Sequence, residues 1–290
     1  MHYLYCNMPV AKSKPFRNKN PLVSSVIAAY NEELHLEDCV KSLLNQSYEK
    51  IEIIVVENGE SKDKTYEIAK SYAQKYKNVK AYSLPGKQRG PGNAWNFGIK
   101  KARGEIVHIV GADLRYGPKY IGQGIQPILN GETVGLVHKQ EICNNIKNLW
   151  ARAFFYKRDS EHAPGLSRVF TLVRKDYIIK KLFNSELGYA DDQTIYRAEG
   201  TEFPTFDLEV YHTNPASLKD TWDHSRWVGR SISRPWLVLA ILPFFLLYAL
   251  YKTIRHLTKD FYLPFIFFLP FYYSIRYFAY LLEAVKKLFS

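Results

Sequence analysis

The feature that most constrains this chain is a regular alternation of short apolar segments and amphipathic helical patterns between residues 21 and 215. After the first of these segments, apolar residues recur at helical spacing from Leu36 to Leu44, and similar patterns follow the later segments. Strands that alternate with helices of this size predict an α/β fold with a mainly parallel central sheet. We expect strands at residues 22–28, 51–56, 79–84 and 105–110.

Polar side chains follow three of these predicted strands at the point where each strand ends. Asp113 comes after the fourth segment, Asn31-Glu32 after the first, and Glu57-Asn58 after the second. The carboxyl ends of parallel strands meet at one edge of a sheet, where α/β proteins bind ligands. Carboxylate oxygens are also the ligands that hard divalent cations prefer. The pattern predicts a binding site at this edge, although turn and cap roles would use the same residue types.

Composition narrows the class of partner. The formal net charge of +12 fits nucleic acid, anionic lipid or a phosphate-rich substrate. We find no zinc finger, RNP motif or base-reading basic helix, so a membrane and a nucleotide phosphate are favoured and nucleic acid is not expected. Cys6, Cys39 and Cys143 are odd in number and form no CxxC pair, which favours a reducing compartment over a disulfide scaffold.

The C-terminal part of the chain differs sharply from the rest. We divide the sequence into a basic tail at 1–20, the α/β domain at 21–215, an amphipathic juxtamembrane helix at 216–235 and an apolar region at 236–290. The apolar region predicts a transmembrane hairpin or helices embedded in one leaflet. Its first uncharged run is shorter than the roughly 20 residues that a straight helix needs to cross a bilayer. Arg276 lies in the second run and should face protein, a headgroup or the interface.

The predicted juxtamembrane helix carries residues suited to a membrane surface. Arg226, Arg230 and Arg234 are spaced by four, so a helix places them on one face. Trp222 and Trp227 can lie at headgroup depth. We expect these five residues at the membrane interface; an ordinary solvated basic face is the alternative.

Three motifs together resemble the opening of family 2 glycosyltransferases. They are Ser25-Val-Ile-Ala-Ala-Tyr-Asn-Glu32, Ser42-Leu-Leu-Asn-Gln46, and Val56-Glu-Asn-Gly-Glu-Ser-Lys-Asp-Lys-Thr65. The family's usual version of the third motif reads roughly V-D-D-G-S-x-D-x-T. The resemblance covers residues 21–212 and implies a GT-A fold, an αβα sandwich that binds a nucleotide sugar. Interfacial and hydrophobic C-terminal helices would follow that domain.

The resemblance also implies positions for the donor. It places the nucleotide-sugar pocket at the ends of the first two strands, in the loop before the metal strand, and beside the metal ligand. In this sequence those positions are Ala28, Ala29, Tyr30, Glu32, Glu57, Asn58, Lys87, Arg89, Asn93, Ala112 and Asp113. Trp95 stands where the family often has an arginine, and Lys87 or Arg89 would supply that cation.

The resemblance implies a cation ligand and a base as well. The family's DxD motif becomes Gly111-Ala112-Asp113, which lacks the first Asp and keeps the usual direct ligand. His212 stands where some GT-A enzymes contribute a histidine ligand, so we expect Mg²⁺ or Mn²⁺ at Asp113 and His212. Asp191-Asp192 resembles the family's E-D motif, in which Asp192 would be the catalytic base.

The sequence therefore predicts a metal-assisted, inverting glycosyltransferase that uses a UDP- or GDP-linked sugar. Its acceptor is expected to be lipid-linked, on the cytoplasmic side of a membrane. A polysaccharide synthase and a degenerate membrane protein that only binds nucleotide sugar are the alternatives. The sugar, the base and the oligomeric state stay open.

Overall fold

The computed structural model describes residues 12–86, 90–138, 141–159, 171–185, 203–232 and 234–289. These residues form two compact units. An α/β unit takes its residues from 1–142 and 163–212, and a helical unit from 143–162 and 213–290.

The strands among the described residues are β1 Val23–Ala29, β2 Ile51–Glu57, β3 Val79–Ser83, β4 Ile106–Gly111, β5 Leu114–Tyr116, β6 Gly135–His138, β7 Ile142–Cys143, β8 Leu172–Arg174, β9 Thr205–Phe206 and β10 Val210–His212. Seven of them form the main sheet of the α/β unit, in the order β3-β2-β1-β4-β8-β6-β9. Strands β1 to β4 run parallel, as the sequence predicts, whereas β8 is antiparallel to both β4 and β6. Strand β10 instead pairs with β5, antiparallel, in a separate small sheet.

Helices cover the large sheet on both faces. Alternate residues of the central strands belong to different core clusters: Ile27 and Ile53 lie in one, Val26 and Ile54 in the other. This period of two, with both faces buried, is typical of a parallel sheet between helical layers. The helices in the described part of the unit are α1 Leu36–Leu44, α2 Thr65–Lys75, α3 Gly92–Lys101, α4 Tyr120–Gly124, α5 Gln126–Leu129 and, after α6 of the other unit, α7 Lys175–Ile178.

Helix α3 packs unusually close to the sheet. A Cβ at Gly98 would lie 2.2 Å from Cγ1 of Val26, so only glycine permits this approach between α3 and β1. The two core clusters thus lie between the sheet and the helices on its two faces. The predicted αβα fold with a mainly parallel sheet is confirmed.

The helical unit consists of α6 Leu149–Asp159, α8 Leu218–Arg230, α9 Pro235–Ala240, a 3-10 turn at Leu242–Phe244, α10 Phe245–Leu257 and α11 Phe265–Phe289. Ser217 caps α8 by accepting the Asp220 N–H at 3.1 Å. Among the described residues, α11 alone is long and apolar enough to cross a bilayer, with a mean hydropathy of 1.3. Helix α10 has 13 residues, fewer than a straight span needs. The transmembrane hairpin therefore stays a prediction.

Arg276 lies in the middle of α11, where a charge needs polar contacts. The side chain is buried, and its guanidinium donates to the hydroxyls of Tyr272 and Tyr280 at 3.0 and 2.6 Å. The ring of Phe154 lies 5.8 Å away. Arg276 therefore faces protein, one of the environments expected for it.

Candidate functional site

The tips of three parallel strands meet at one edge of the large sheet. Ala29 at the end of β1 is in register with Glu57 at the end of β2, and Ala28 is in register with Gly111 at the end of β4. The loops that begin at Tyr30, Asn58 and Ala112 consequently leave the sheet side by side. The edge predicted from the sequence exists, with Tyr30 exposed at its border.

Asn58 follows β2 and is held by the neighbouring backbone. Its N–H donates to the Ala29 carbonyl at 2.7 Å, and its Nδ2 donates to the Gly90 carbonyl at 2.7 Å. The side-chain oxygen Oδ1 is buried and accepts no hydrogen bond from the described residues. A buried acceptor without a partner is costly, so Asn58 presents a fixed acceptor suited to the N–H of a ligand.

Glu57 has a local role that the sequence did not specify. Its Oε1 accepts the Ser61 N–H at 2.7 Å, and its Oε2 accepts the Ser83 hydroxyl at 2.6 Å. The turn between Glu57 and Ser61 has a left-handed backbone at Gly59 and Glu60, with φ angles of 83° and 55°. Glu57 therefore shapes the loop after β2 from a buried position, and its contact with the ribose stays a prediction.

Glu32 lies in the loop after β1, which is tied to the loop after β2. Its N–H donates to the Thr65 hydroxyl at 2.7 Å, and the next N–H, of Glu33, donates to Asp63 at 3.1 Å. Burial raises the pKa of the Glu32 carboxyl well above its usual range, and the charges of Asp113 and Asp63 raise it further. Glu32 thus lies close enough to Asp113 and Asp63 for their charges to oppose its ionisation.

Asp113 begins a chain of contacts that connects carboxylates and imidazoles. Its Oδ2 lies 2.8 Å from Nε2 of His212, and Nδ1 of the same ring lies 2.7 Å from Oε2 of Glu141. The other Glu141 oxygen lies 3.2 Å from Nε2 of His138, whose Nδ1 is 3.2 Å from the Tyr120 hydroxyl. His212 and His138 are buried, whereas the Asp113 side chain is 34% exposed. The Asp113 end of this series of contacts is therefore the end open to a ligand.

The donor set at this end suits a hard or borderline divalent cation. A carboxylate oxygen and an imidazole nitrogen are side by side, and both are accepted ligand types for Mn²⁺. Among the described residues no group of three His, Cys, Asp or Glu side chains can hold a metal ion. Two protein ligands still suffice when phosphates and waters complete the octahedron, so the residues fit a cation that binds together with a diphosphate.

Comparison with known proteins decides the family. The model for glycosyl transferase family 2 matches residues 24–201, more than half of the chain. The chain belongs to this family.

Two bacterial proteins named as glycosyltransferases are similar to this member of family 2. It is 30% identical to EpsH of Bacillus subtilis over 179 residues, which are 62% of this chain and 48% of that protein. It is 40% identical to an uncharacterized glycosyltransferase of Haemophilus influenzae over 93 residues, which are 32% of this chain and 36% of that protein. The chain thus spans half or less of the length of these two relatives.

Solved structures show the same fold at low identity. The mannosyltransferase PcManGT from Pyrobaculum calidifontis, in complex with GDP-Man and Mn²⁺, aligns over 98% of this chain and 90% of its own, with a TM-score of 0.58 at 19% identity. S. aureus TarS 1–349 in complex with UDP-GlcNAc aligns over 72% of this chain and 65% of its own, with a TM-score of 0.55 at 20% identity. These likenesses establish the GT-A fold of this family 2 chain.

Two departures from the family 2 pattern have structural explanations. Trp95 stands in place of the frequent arginine; it is buried, donates from Nε1 to the Val110 carbonyl at 3.0 Å and contacts the Phe183 ring. Gly111 stands in place of the first Asp, and a Cβ there would lie 2.8 Å from Oδ1 of Asp113. Trp95 is thus a core residue, and Gly111 leaves room for the Asp113 carboxylate in its present conformation.

Several predicted site residues of this family 2 member lie outside the described residues. They are Lys87, Arg89, Asp191 and the proposed base Asp192. Asn93 lies in the first turn of α3, and Ala112 is buried beside Asp113. Glu141 and His138 were not predicted, since neither belongs to a recognised motif and their partners are far away in sequence.

The predicted interface residues belong to the helical unit. Arg226 donates from Nε to Glu283 of α11 at 2.6 Å, and Arg230 lies 3.6 Å from the second oxygen of that carboxylate. Trp222 lines an apolar cavity of about 580 Å³ together with Phe271, whereas Trp227 contacts the ring of His224 and Arg234 is exposed. The two arginine contacts stabilise the packing of α8 on α11; the placement at a membrane surface stays a prediction.

Proposed function

We propose that this chain is an inverting glycosyltransferase that moves a sugar from a UDP- or GDP-linked donor to a lipid-linked acceptor. The observation that carries the proposal is the meeting of the β1, β2 and β4 tips, which places Glu32, Asn58 and Asp113 along one edge. This edge is where parallel α/β sheets bind nucleotides.

The nucleotide base would contact the Asn58 side of the edge. The buried Oδ1 of Asn58 accepts nothing from the described residues, and both uracil and guanine present a ring N–H that can donate to it. TarS binds UDP-GlcNAc and PcManGT binds GDP-Man, which supports a uridine or guanosine diphosphate donor for this chain. The sugar diphosphate would then extend toward Asp113.

The transfer would be a single displacement at the anomeric carbon. The acceptor oxygen forms a bond to that carbon on the face opposite the diphosphate, while the bond from carbon to the diphosphate oxygen breaks. Asp192 takes the acceptor proton when the acceptor is a hydroxyl. A lipid phosphate is already anionic, and Asp192 would then matter less as a base and more for positioning or for orienting the metal.

Asp113 and His212 would hold a divalent cation against the departing diphosphate. The bound cation supplies charge stabilisation to the leaving group. The residues of this chain contribute the two ligands. The negative charge of Asp113 favours the cation and makes binding of a bare diphosphate unfavourable.

The helical unit would keep the enzyme at a membrane, on the cytoplasmic side where nucleotide sugars are made. Large apolar side chains on α10, on α11 and in the segment between them are exposed, among them Leu246 at 67%, Phe267 at 84% and Phe261 at 73%. Exposed apolar side chains of this kind favour contact with lipid, which supports a lipid-linked acceptor.

Release of nucleoside diphosphate tests the proposal. Membrane fractions that contain the full chain are incubated with a panel of UDP- and GDP-sugars and Mn²⁺, with and without lipid extract as acceptor. We expect the wild-type chain to release diphosphate from one of the donors. We expect the Asp192→Asn variant to lose this release when the acceptor is a hydroxyl. Turnover that is unchanged in Asp192→Asn would remove that residue from its role.

A degenerate nucleotide-sugar-binding protein is the second candidate. The absence of the first Asp at Gly111 and of a three-ligand group among the described residues favours it. Donor binding without diphosphate release, across the whole panel and with the lipid extract, is the result that this candidate predicts.

A further inference from the structure

Glu141 contacts two buried imidazoles and belongs to no motif of the family. One of its oxygens lies 2.7 Å from Nδ1 of His212, and the other lies 3.2 Å from Nε2 of His138. The Glu141 side chain is itself only 20% exposed. Both carboxylate oxygens are therefore engaged, which fixes the orientation of this carboxylate.

We propose that Glu141 is a positioning residue for the divalent cation, and that it acts by holding the His212 ring. Nδ1 of His212 donates its proton to Glu141, which leaves the lone pair of Nε2, on the Asp113 side of the ring, available to the cation. A carboxylate behind a metal-ligating histidine fixes the tautomer and the ring orientation and makes the imidazole more basic. This inference rests on the proposed function for the identity of the cation as the partner of a diphosphate.

The first Asp of the DxD motif is absent from this site. A Cβ at Gly111 would lie 2.8 Å from Oδ1 of Asp113, so a larger residue there would require the Asp113 carboxylate to shift. Asp113 and His212 are the candidate ligands at this tip, and Glu141 supports the histidine.

Glu141 also keeps negative charge at the site. The DxD motif has one aspartate at the ligand position and another two residues before it, whereas this chain has Gly111 at the earlier position. Glu141 lies one imidazole ring away from Asp113 through His212, so its charge acts on the same cation. A site with Asp113 alone would therefore bind the cation more weakly than a site with Asp113, His212 and Glu141 together.

Binding of Mn²⁺ to the purified full chain in the presence of UDP or GDP, measured by electron paramagnetic resonance without acceptor, tests the inference. Glu141→Gln keeps the size of the side chain and removes its charge. We expect Mn²⁺ affinity to fall about 10- to 100-fold, the usual effect of losing such a carboxylate. We also expect the spin-echo modulation from a coordinated imidazole nitrogen to weaken, which a purely structural role of Glu141 would not cause.

Glu209→Gln is the matched control. Glu209 is exposed, accepts the Tyr211 hydroxyl and undergoes the same change of charge. Its Mn²⁺ affinity should stay within about twofold of wild type, since at an exposed site solvent and salt screen a single charge. His138→Gln, which frees one oxygen of Glu141 but leaves its charge, should weaken Mn²⁺ binding less than Glu141→Gln does.

Wild-type affinity in a folded Glu141→Gln variant would overturn the inference, as would absence of Mn²⁺ binding by the wild-type chain. If Glu141→Gln does not fold, Glu141→Asp, which keeps the charge but shortens the reach to His212, takes its place. A loss of Mn²⁺ affinity in that variant supports the inference, and unchanged affinity overturns it. Mn²⁺ binding that depends on Glu141, without any diphosphate release, would overturn the proposed function alone.

Discussion

The tips of β1 and β2 and the tip of β4 lie at one edge of the sheet but are constructed in different ways. At β1 and β2, Asn58 and Glu57 are held by backbone N–H and carbonyl groups and by a serine hydroxyl. At β4, Asp113 is held by an imidazole that is held in turn by Glu141. One side is a hydrogen-bonded turn; the other is a set of ionisable side chains.

The difference indicates what each side can recognise. Backbone-locked amide and carboxyl groups present fixed donors and acceptors, which suit the edge of a neutral base and a ribose. Two carboxylates around one imidazole concentrate negative charge, which suits a cation and, through it, a diphosphate. Substitutions on the two sides should therefore affect different observables.

The largest effect is expected from Asp113→Asn. Among the described residues, Asp113 carries the carboxylate that faces both the open edge and His212, so the change removes the charge that holds the cation. We expect diphosphate release to fall about 100- to 1,000-fold, as when one electrostatic contact to a leaving group is removed. Diphosphate release near the wild-type rate in Asp113→Asn would show that the β4 side of the edge does not hold the cation.

A smaller effect, on stability, is expected from Trp95→Phe. Trp95 donates to the Val110 carbonyl just below the β4 tip, and phenylalanine removes that hydrogen bond and leaves the space partly empty. We expect the free energy of unfolding of the α/β unit to fall by about 2 kcal/mol. Thermal unfolding of both proteins measures this; an equal midpoint would mean that Trp95 does not support the β4 tip.

Below the β4 tip, His108 should make stability depend on pH. Burial lowers the pKa of His108 from 6.5 to about 3, with a smaller contribution from His138. The unfolded chain therefore takes up this proton first, and the contribution of His108 is complete above pH 6.5 and decreases as the pH falls toward 3. We expect a loss of about 1.4 kcal/mol per pH unit in that window.

His108→Phe is the variant that isolates this effect of pH. Phenylalanine fits between the rings of Tyr116 and Tyr120 but does not titrate. Its unfolding free energy should depend less on pH than that of wild type between about pH 6.5 and 5. Identical slopes for the two proteins would show that the proton uptake occurs elsewhere.

The smallest effect is expected on the turn side, from Asn58→Ala. The change removes one acceptor for the base and the hydrogen bond to the Gly90 carbonyl. Affinity for nucleoside diphosphate should fall by about 1 kcal/mol, roughly fivefold, with and without Mn²⁺. An effect that appears only with Mn²⁺ would place Asn58 on the cation side instead.

The same division explains what could be predicted from the sequence. Strands β1 to β4, helices α1 to α3 and the edge where their loops meet follow from apolar periodicity and turn residues, which are local signals. The contact of Asp113 with His212 joins residues 99 apart, and that of His212 with Glu141 joins residues 71 apart. His212 was identified through the family resemblance, whereas nothing local marks Glu141.

Trp95 shows the other limit. The family pattern suggested a missing cation at this position, but the side chain belongs to the core and donates to the β4 backbone. A motif comparison assigns a residue to a position in a pattern; whether that position faces the ligand or the core depends on packing, which the local sequence does not determine.

Titration of nucleoside diphosphate into the full chain by calorimetry, with and without Mn²⁺, tests the central claim most directly. The claim is that the β1, β2 and β4 tips form one site for the nucleotide and its cation. It predicts that Mn²⁺ strengthens diphosphate binding in wild type and in Asn58→Ala, and that this gain disappears in Asp113→Asn. A Mn²⁺ gain of the same size in Asp113→Asn would contradict the account.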